Sequence, residues 1–266
     1  MNAVDYSGQT TIVTGASSGI GVEFARALAG RGSDVVLVAR RLDRLEKLAA
    51  ELAAAHGIRA TAIPLDLGLP AAGETLAEEV GRRGLEVTSL VNNAAFGTFG
   101  PFHREDPGRL REMIGVNAAS VVDISRAFIG RLRAAGTGVL VNVASMAAYQ
   151  PIPNMAVYAA SKAFVLSFTE ALWQESLGTG LRVLLLSPGA TDTEFFKVAG
   201  ADAADGGTTR RPPEEVVATA LRTLDRHSPP PSIAHGRFNR VASNASRVVS
   251  RRRAVLLSAM MTRGAE

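Results

Sequence analysis

The stretch that decides the fold is Thr10-Thr11-Ile12-Val13-Thr14-Gly15-Ala16-Ser17-Ser18-Gly19-Ile20-Gly21. Its first residues predict a strand, and the segment that follows, Val22 to Leu28, carries apolar side chains at helical spacing. Glycines between a strand and a helix permit a tight turn and a close backbone approach to a ligand. The N–H groups at a helix N-terminus bind phosphate. The stretch therefore predicts a strand, a glycine turn and a helix that together cradle a pyrophosphate.

Strands and helices alternate along the rest of the chain. Strand-like runs lie near Thr10, Val35, Ala60, Leu90, Val139, Val183 and Ser232, with helical segments between them. This order predicts an α/β fold of the doubly wound, Rossmann-like kind, with about seven mostly parallel strands and helices on both faces. We assign residues 1–236 to a single Rossmann-type domain. Residues 237–266 form a basic extension that we expect to be helical.

A second motif predicts chemistry at the carboxyl edge of this sheet. Ser145 ends the apolar run of the fifth strand, and Tyr158 and Lys162 are four residues apart, so they share one face of a helix. A tyrosine with a pKa of about 10 is a weak acid near neutrality, and a neighbouring cation lowers that pKa by roughly 1–3 units. We expect Lys162 to supply this charge. Tyr158 would exchange a proton with a carbonyl or alcohol oxygen that Ser145 holds, which is oxidoreductase chemistry.

Two alternatives remain open. The residues Gly15 to Gly19 also spell G-x-S-x-G, the nucleophile elbow of α/β-hydrolases, with Ser17 as the nucleophile. Only one strand precedes this motif and the chain has four histidines, so the hydrolase is the remote alternative. The second alternative is a protein that binds a dinucleotide as a sensor or regulator without turnover. Such a binder has no need of Tyr158.

With both motifs in hand, the chain resembles the short-chain dehydrogenase/reductase family from about Thr10 to His235. Four further blocks fall in the family's order: Asp66, Asn92-Asn93-Ala94-Ala95, Asn117 and Pro188-Gly189-Ala190-Thr191-Asp192-Thr193. Ala95 departs from the pattern, since the family has glycine there. The resemblance implies a catalytic tetrad of Asn117, Ser145, Tyr158 and Lys162, in which Asn117 supports a proton-relay water and Lys162 also grips the nicotinamide ribose. It further implies that a dinucleotide contacts Gly15, Ser17, Ser18, Gly19, Ile20, Gly21, Asp66, Leu67, Asn93, Ala94, Tyr158, Lys162, Pro188, Gly189, Thr191 and Thr193.

The residues after the second strand indicate which dinucleotide binds. An NAD enzyme places an acid about 20 residues beyond the glycines to bind the ribose 2′-hydroxyl, but the strand ends at Ala39 and continues with Arg40 and Arg41. A guanidinium suits a 2′-phosphate, with help from Ser17. We therefore predict NADP(H) as the cofactor, with reduction as the direction in the cell.

Two segments rich in Gly, Pro and small polar residues, 96–107 and 191–213, follow strands whose carboxyl ends face the cofactor. Long loops inside a compact domain are usually functional, so we interpret both as substrate loops. We expect a pocket with few charges, which fits a lipophilic ketone or aldehyde. The residues that would line it are Phe96, Phe99, Phe102, Met146, Tyr149, Met155, Phe195 and Phe196.

Length and composition agree with a single enzyme domain. The chain has 266 residues and no cysteine, which excludes thiol catalysis, disulfides and thiolate metal sites; we predict no metal. We find no export signal and no apolar run of the 18 or so residues that span a membrane, so we expect a cytoplasmic protein. Family resemblance implies a homodimer or homotetramer formed through the helices that contain Asn117 and Tyr158.

The excess of basic residues lies after Gly236, where arginines alternate with apolar side chains. We favour an appendage that packs on the body or on a partner subunit. Peripheral contact with an anionic membrane is the second interpretation, and a nucleic-acid patch, which we do not expect, is the third. The residues concerned are Arg237, Arg240, Arg247, Val248, Val249, Arg251, Arg252, Arg253, Val255, Leu256, Leu257, Met260, Met261 and Arg263.

Overall fold

A computed structural model describes residues 3–200, 208–245 and 249–262 of the chain. Seven parallel strands form one sheet in the order β3-β2-β1-β4-β5-β6-β7, which confirms the predicted doubly wound fold. Every paired strand is parallel, with registers such as Ile12 opposite Val36 and Leu140 opposite Val183. The strands are β1 (Thr10–Thr14), β2 (Asp34–Ala39), β3 (Ala60–Pro64), β4 (Ser89–Asn92), β5 (Val139–Val143), β6 (Arg182–Ser187) and β7 (Ser232–Ala234).

Helices cover both faces because successive strand residues point to opposite sides. Val13 belongs to a cluster with Phe24 and Leu221 on one face, whereas Ile12 joins Leu76 and Phe128 on the other. The helices are α1 (Gly19–Ala29), α2 (Leu42–His56), α3 (Ala72–Arg82), α4 (Pro107–Ile114), α5 (Ser120–Ala135), α6 (Ala156–Glu175), α7 (Phe195–Ala199), α8 (Pro213–Leu224), α9 (Arg237–Ala245) and α10 (Arg251–Thr262).

A π-helical turn, Gly115–Ala119, joins α4 to α5 and makes Pro107–Ala135 one continuous helix. Among the described residues this is the one helix long and apolar enough, by length and composition alone, to cross a membrane. The sequence prediction did not anticipate it. A core helix passes the same test, and here Ile124, Phe128 and Leu132 are fully buried against the sheet. We therefore assign it to the core.

Buried amides connect the centre of the sheet to the helices behind it. Asn92 at the end of β4 donates to Asn142 of β5 at 2.9 Å and to Ser125 of α5 at 3.0 Å. Asn142 in turn donates to Thr169 of α6 at 2.9 Å. Hydrogen bonds between buried groups require one arrangement of their partners, so this network fixes α6, which carries Tyr158, relative to the end of β5.

The two predicted loops are partly ordered. The segment 96–107 contains a short 3₁₀ helix, Phe102–Arg104, and ends where α4 begins. The segment 191–213 contains α7 and a parallel bridge between Thr191 and Arg211; its residues 201–207 lie outside the described residues. In the basic extension, Arg247, Val248, Arg263 and the side chain of Met261 also lie outside them.

Candidate active site

The turn after β1 is built so that only glycine fits at two positions. Gly15 and Gly19 adopt φ of +67° and +55°, a region that favours glycine. A Cβ on Gly15 would lie 2.8 Å from the side-chain nitrogen Nδ2 of Asn93. A Cβ on Gly19 would lie 2.7 Å from the methyl group of Thr193. Ser18, at the N-cap of α1, makes no side-chain capping bond, so the N–H groups of the first turn keep their capacity for an anion.

The end of β4 is tied to this turn. The backbone N–H groups of Asn93 and Ala94 both donate to the Thr14 hydroxyl, at 2.9 and 3.1 Å, and the Asn93 side chain donates to the Thr14 carbonyl at 2.9 Å. Two sides of the cleft are therefore held together before any ligand binds. Ala95, the departure from the family pattern, lines the cleft at this point.

Arg41 occupies the position expected to bind a 2′-phosphate. Its guanidinium donates to the Ser17 hydroxyl at 2.9 and 3.2 Å and to a carboxylate oxygen of Glu194 at 2.9 Å. Arg44 donates to the other oxygen of Glu194 at 2.8 Å. Hydrogen bonds from Arg44 and Arg41 lower the pKa of Glu194 to about 2. Arg40, in contrast, is largely exposed and meets Glu112 at 3.5 Å.

The three reactive side chains converge at the carboxyl end of β5. Lys162 is buried and donates to the Val143 carbonyl at 3.0 Å, with its nitrogen 5.8 Å from the centre of the Tyr158 ring. Ser145 is half-buried; its hydroxyl accepts from the Ala147 N–H at 3.1 Å and hydrogen bonds to Tyr158. The ring of Phe195 covers Tyr158, with the two centroids 5.2 Å apart.

The charge balance of this group differs from the sequence prediction. Burial raises the pKa of Tyr158 to about 12, which the hydrogen bond from Ser145 only partly opposes, and burial lowers the pKa of Lys162 to about 7. The predicted lowering of the Tyr158 pKa by Lys162 is therefore wrong for the protein alone. The reason is that a lysine with a pKa near 7 carries only part of a positive charge at neutral pH, while desolvation acts on the phenol in full.

Asn117 is fully buried and serves the loop after β4. Its side-chain oxygen accepts from the Phe96 N–H at 3.1 Å, and its amide donates to the Phe96 carbonyl at 2.9 Å and to Ser161 at 3.2 Å. Ser161 donates to the Tyr158 carbonyl at 2.7 Å. The π-helical turn thus places Asn117 between the first substrate loop and α6. Because its oxygen and its amide nitrogen already have these partners, the Asn117 side chain has little remaining capacity to hold the predicted relay water.

One cleft of about 880 Å³ collects most of the predicted residues. Asp66 lines it and accepts from the Gly68 N–H at 2.9 Å, which shapes the turn after β3. Gly21 and Asn117 lie behind the wall rather than on it. The predicted cofactor and catalytic residues on the wall are Gly15, Ser17, Ser18, Gly19, Ile20, Arg40, Arg41, Asp66, Leu67, Asn93, Ala94, Ser145, Tyr158, Lys162, Pro188, Gly189, Thr191 and Thr193.

Five of the predicted substrate residues, Phe96, Met146, Met155, Phe195 and Phe196, also line the cleft. Three predictions for this pocket are corrected. Tyr149 shares a hydrogen bond with Ser187 at 3.3 Å and packs behind the cleft, because the 3₁₀ turn that begins at Met146 rotates it away. Phe102 is 65% exposed on the outer side of its short helix, and Phe99 packs against a buried cluster instead of facing the cleft.

Sequence reasoning missed two parts of the wall. One is Glu194, whose pairing with Arg41 and Arg44 depends on how the loop after β6 folds back, and no local pattern reports this. The other comes from the basic extension, where Phe238, Leu257 and Ser258 line the cleft. Alternation of arginine with apolar residues predicted a helix here but gave no sign of what its inner face would touch.

The geometry agrees with comparisons to known proteins. The family model described as short chain dehydrogenase matches residues 9–204. The chain is a short-chain dehydrogenase/reductase. A solved short-chain dehydrogenase from Sphingobium yanoikuyae in complex with NADPH superposes with a TM-score of 0.79 at 32% identity, covering 90% of this chain and 94% of that one.

Relatives of this short-chain dehydrogenase/reductase differ in substrate. The "Probable oxidoreductase EphD" of Mycobacterium tuberculosis is 37% identical over 197 residues; the match covers 73% of this chain and 33% of that protein, so the chain spans about a third of its length. The 7beta-hydroxysteroid dehydrogenase of Clostridium sardiniense is 33% identical over 193 residues, 73% of each chain. Other relatives include a sulfoacetaldehyde reductase and a very-long-chain 3-oxoacyl-CoA reductase.

Proposed function

We propose that this protein reduces a lipophilic ketone or aldehyde to the corresponding alcohol with NADPH. The observation that carries the proposal is the meeting of Ser145, Tyr158 and Lys162 at the floor of a cleft whose outer part has apolar walls. Family membership supports oxidoreductase chemistry in general. The carbonyl substrate and the direction of the reaction are our inference from the side chains.

NADP(H) is the cofactor. The glycine turn provides a cradle that any Cβ would fill, and Arg41 with Ser17 forms a cationic and hydroxyl pair at the end of β2, where a 2′-phosphate suits a guanidinium. Several solved structures similar to this chain contain NADPH, NADP or 5-hydroxy-NADP. Bound there, the cofactor supplies a hydride to the carbonyl carbon.

Tyr158 is suited to the role of acid in a reduction. With a pKa of about 12 its hydroxyl stays protonated at neutral pH, and an alkoxide that forms beside it is a stronger base than its phenolate. Ser145 hydrogen bonds to this hydroxyl, and the same side chain can hold a substrate oxygen while negative charge develops on it. Lys162, fixed to the Val143 carbonyl, stabilises the phenolate that remains after the proton has moved.

The walls above Tyr158 favour an apolar substrate. Phe195 and Phe196 pack edge to face with centroids 5.4 Å apart, and Met146, Ile152 and Met155 complete this part of the cleft. A pocket of this kind binds through apolar contact area, with few polar groups to orient the ligand. Hydroxysteroid dehydrogenases among the relatives act on substrates of this class, whereas the sulfoacetaldehyde reductase does not.

The experiment is NADPH consumption across a panel of bulky ketones, aldehydes, ketosteroids and small anionic aldehydes, with Tyr158→Phe as the matched variant. We expect turnover of bulky apolar carbonyls by the wild type and none by the variant. NADPH binding without turnover on any member of the panel would favour the sensor instead. The hydrolase alternative is not supported, since the Ser17 hydroxyl is engaged by Arg41.

The assembly and location stay predictions. We propose a homodimer or homotetramer formed through α4, α5 and α6, and a cytoplasmic location. Sedimentation of the purified protein measures the first, and fractionation of the source cells measures the second.

A further inference from the structure

The last two described helices, α9 and α10, have their large apolar side chains on the outside. Among the side chains of α10 that the structure describes, those of residues 251–260, the buried ones are Ala254 and Ser258, both small, whereas Leu256, Leu257 and Met260 are more than half exposed. In α9 the buried residue is Ser243, and Phe238 is 80% exposed. Helices that only pack on a body show the reverse pattern, with large apolar residues inside. This C-terminal helix pair therefore presents an apolar outer surface.

The charge on the same surface has one sign. Five arginines of the pair are exposed, and the sequence from Arg237 to Thr262 contains no Asp or Glu. Apolar side chains alone would fit many partners. Apolar side chains surrounded by arginines, with no acidic residue among them, fit a partner surface that is both apolar and anionic. The exposed arginines are Arg237, Arg240, Arg251, Arg252 and Arg253.

The pair lies at the mouth of the active-site cleft. Phe238 and Leu257 line the cleft with part of their surface, and the Ser258 hydroxyl donates to the Pro151 carbonyl at 2.7 Å, which fixes α10 beside the 3₁₀ turn that follows Ser145. The outer surface and the cleft entrance are therefore continuous.

We propose that the C-terminal helix pair docks this protein on an anionic lipid membrane, with the mouth of the cleft facing the bilayer. The arginines meet lipid phosphates, and the exposed Phe, Val, Leu and Met side chains enter the boundary between headgroups and acyl chains. A second copy of the chain fits less well, because a two-fold contact through this surface sets arginines against arginines. A nucleic acid would use the arginines but not the apolar residues between them.

The test is sedimentation of the full-length protein with vesicles of phosphatidylcholine containing or lacking 30% phosphatidylglycerol. One variant combines Leu256→Asn with Met260→Asn, and another combines Arg251→Gln, Arg252→Gln and Arg253→Gln. Matched controls make the same changes at exposed sites elsewhere: Leu69→Asn with Leu177→Asn, and Arg82→Gln, Arg222→Gln and Arg226→Gln. Melting temperature and NADPH turnover verify that each variant is folded, since none of these residues lies in the catalytic group.

We expect wild type to bind only the anionic vesicles and to be released by 0.5 M salt. The arginine variant should bind about a hundredfold more weakly, since each basic residue near the surface contributes about a fivefold factor. The apolar variant should also lose binding, while both controls retain it and all proteins keep the same mass in solution. The proposal would be overturned if the wild type did not sediment with anionic vesicles, or if the apolar variant had a changed oligomeric mass. Tight binding of a duplex oligonucleotide that survives the apolar change would overturn it as well.

Discussion

Burial of Lys162 is expected to lower the free energy of unfolding of the protein, and Lys162→Met tests this. In the folded protein burial lowers its pKa from 10.5 to about 7. At 1.36 kcal/mol per pKa unit, holding the charged form costs about 5 kcal/mol below pH 7, taken as an upper bound. Methionine removes that cost but leaves the Val143 carbonyl without its donor, a loss of about 1–3 kcal/mol. The variant should therefore gain about 2–4 kcal/mol at pH 6.

The pH dependence gives the sharper test. Between pH 7 and pH 10.5 the unfolded state binds more protons at this lysine than the folded state, so the stability of the wild type rises with pH. At pH 9 about 2 kcal/mol of the cost remains. The advantage of the variant should then shrink by about 3 kcal/mol between pH 6 and pH 9.

Thermal unfolding of the cofactor-free protein measures both quantities. For a chain of this size about 2 °C corresponds to 1 kcal/mol, so Lys162→Met should melt about 4–8 °C higher than wild type at pH 6 and close to it at pH 9. Turnover should be lost in the same variant, a trade of activity for stability. Lys47→Met, which removes a lysine from the exposed face of α2, is the control and should change neither melting point. The reasoning would be refuted by a variant that is no more stable than wild type at pH 6. It would also be refuted by a difference in melting temperature that stays the same from pH 6 to pH 9.

Three further outcomes are expected. Tyr158→Phe should abolish NADPH consumption while the dissociation constant for NADPH, measured by fluorescence, changes less than a few-fold; substantial residual turnover would remove the proton donor assigned here. Arg41→Leu should weaken NADPH binding by one to two decades and leave NADH binding nearly unchanged, whereas Arg40→Leu should do little, and a larger effect at Arg40 would contradict the contact with Ser17. Glu194→Gln should tighten NADPH binding several-fold, because a carboxylate no longer competes for Arg41, and weaker binding would count against that competition.

The sequence predicted what local patterns encode. Strand runs around Val35 and Leu140 are mostly apolar on both faces, which favours interior parallel strands, whereas the strand order came from the structure. Glycines 15 and 19 were predicted for the turn, and their positive φ values and close contacts explain why.

What the sequence could not predict depends on contacts between distant segments. Tyr149 is predicted to line the pocket because it lies between the catalytic strand and helix, but the short 3₁₀ turn that it ends decides its direction. The pKa of Tyr158 depends on how deeply Phe195 covers it, which a motif does not encode. The outward-facing leucines of α10 became visible only once Ala254 and Ser258 were seen to be its inner face.

Three consecutive residues of the loop after β6 each touch a different part of the cleft. Thr193 packs on Gly19 of the phosphate turn, Glu194 bonds to Arg41, and Phe195 lies on Tyr158. Because the three residues are consecutive, a backbone shift that moves one of them also moves the other two. A dinucleotide without a 2′-phosphate brings no anion to exchange with Glu194 for Arg41. A 2′-phosphate that takes Arg41 from Glu194 therefore acts on the same short segment that covers Tyr158, and this links the choice of coenzyme mechanically to access to the catalytic tyrosine.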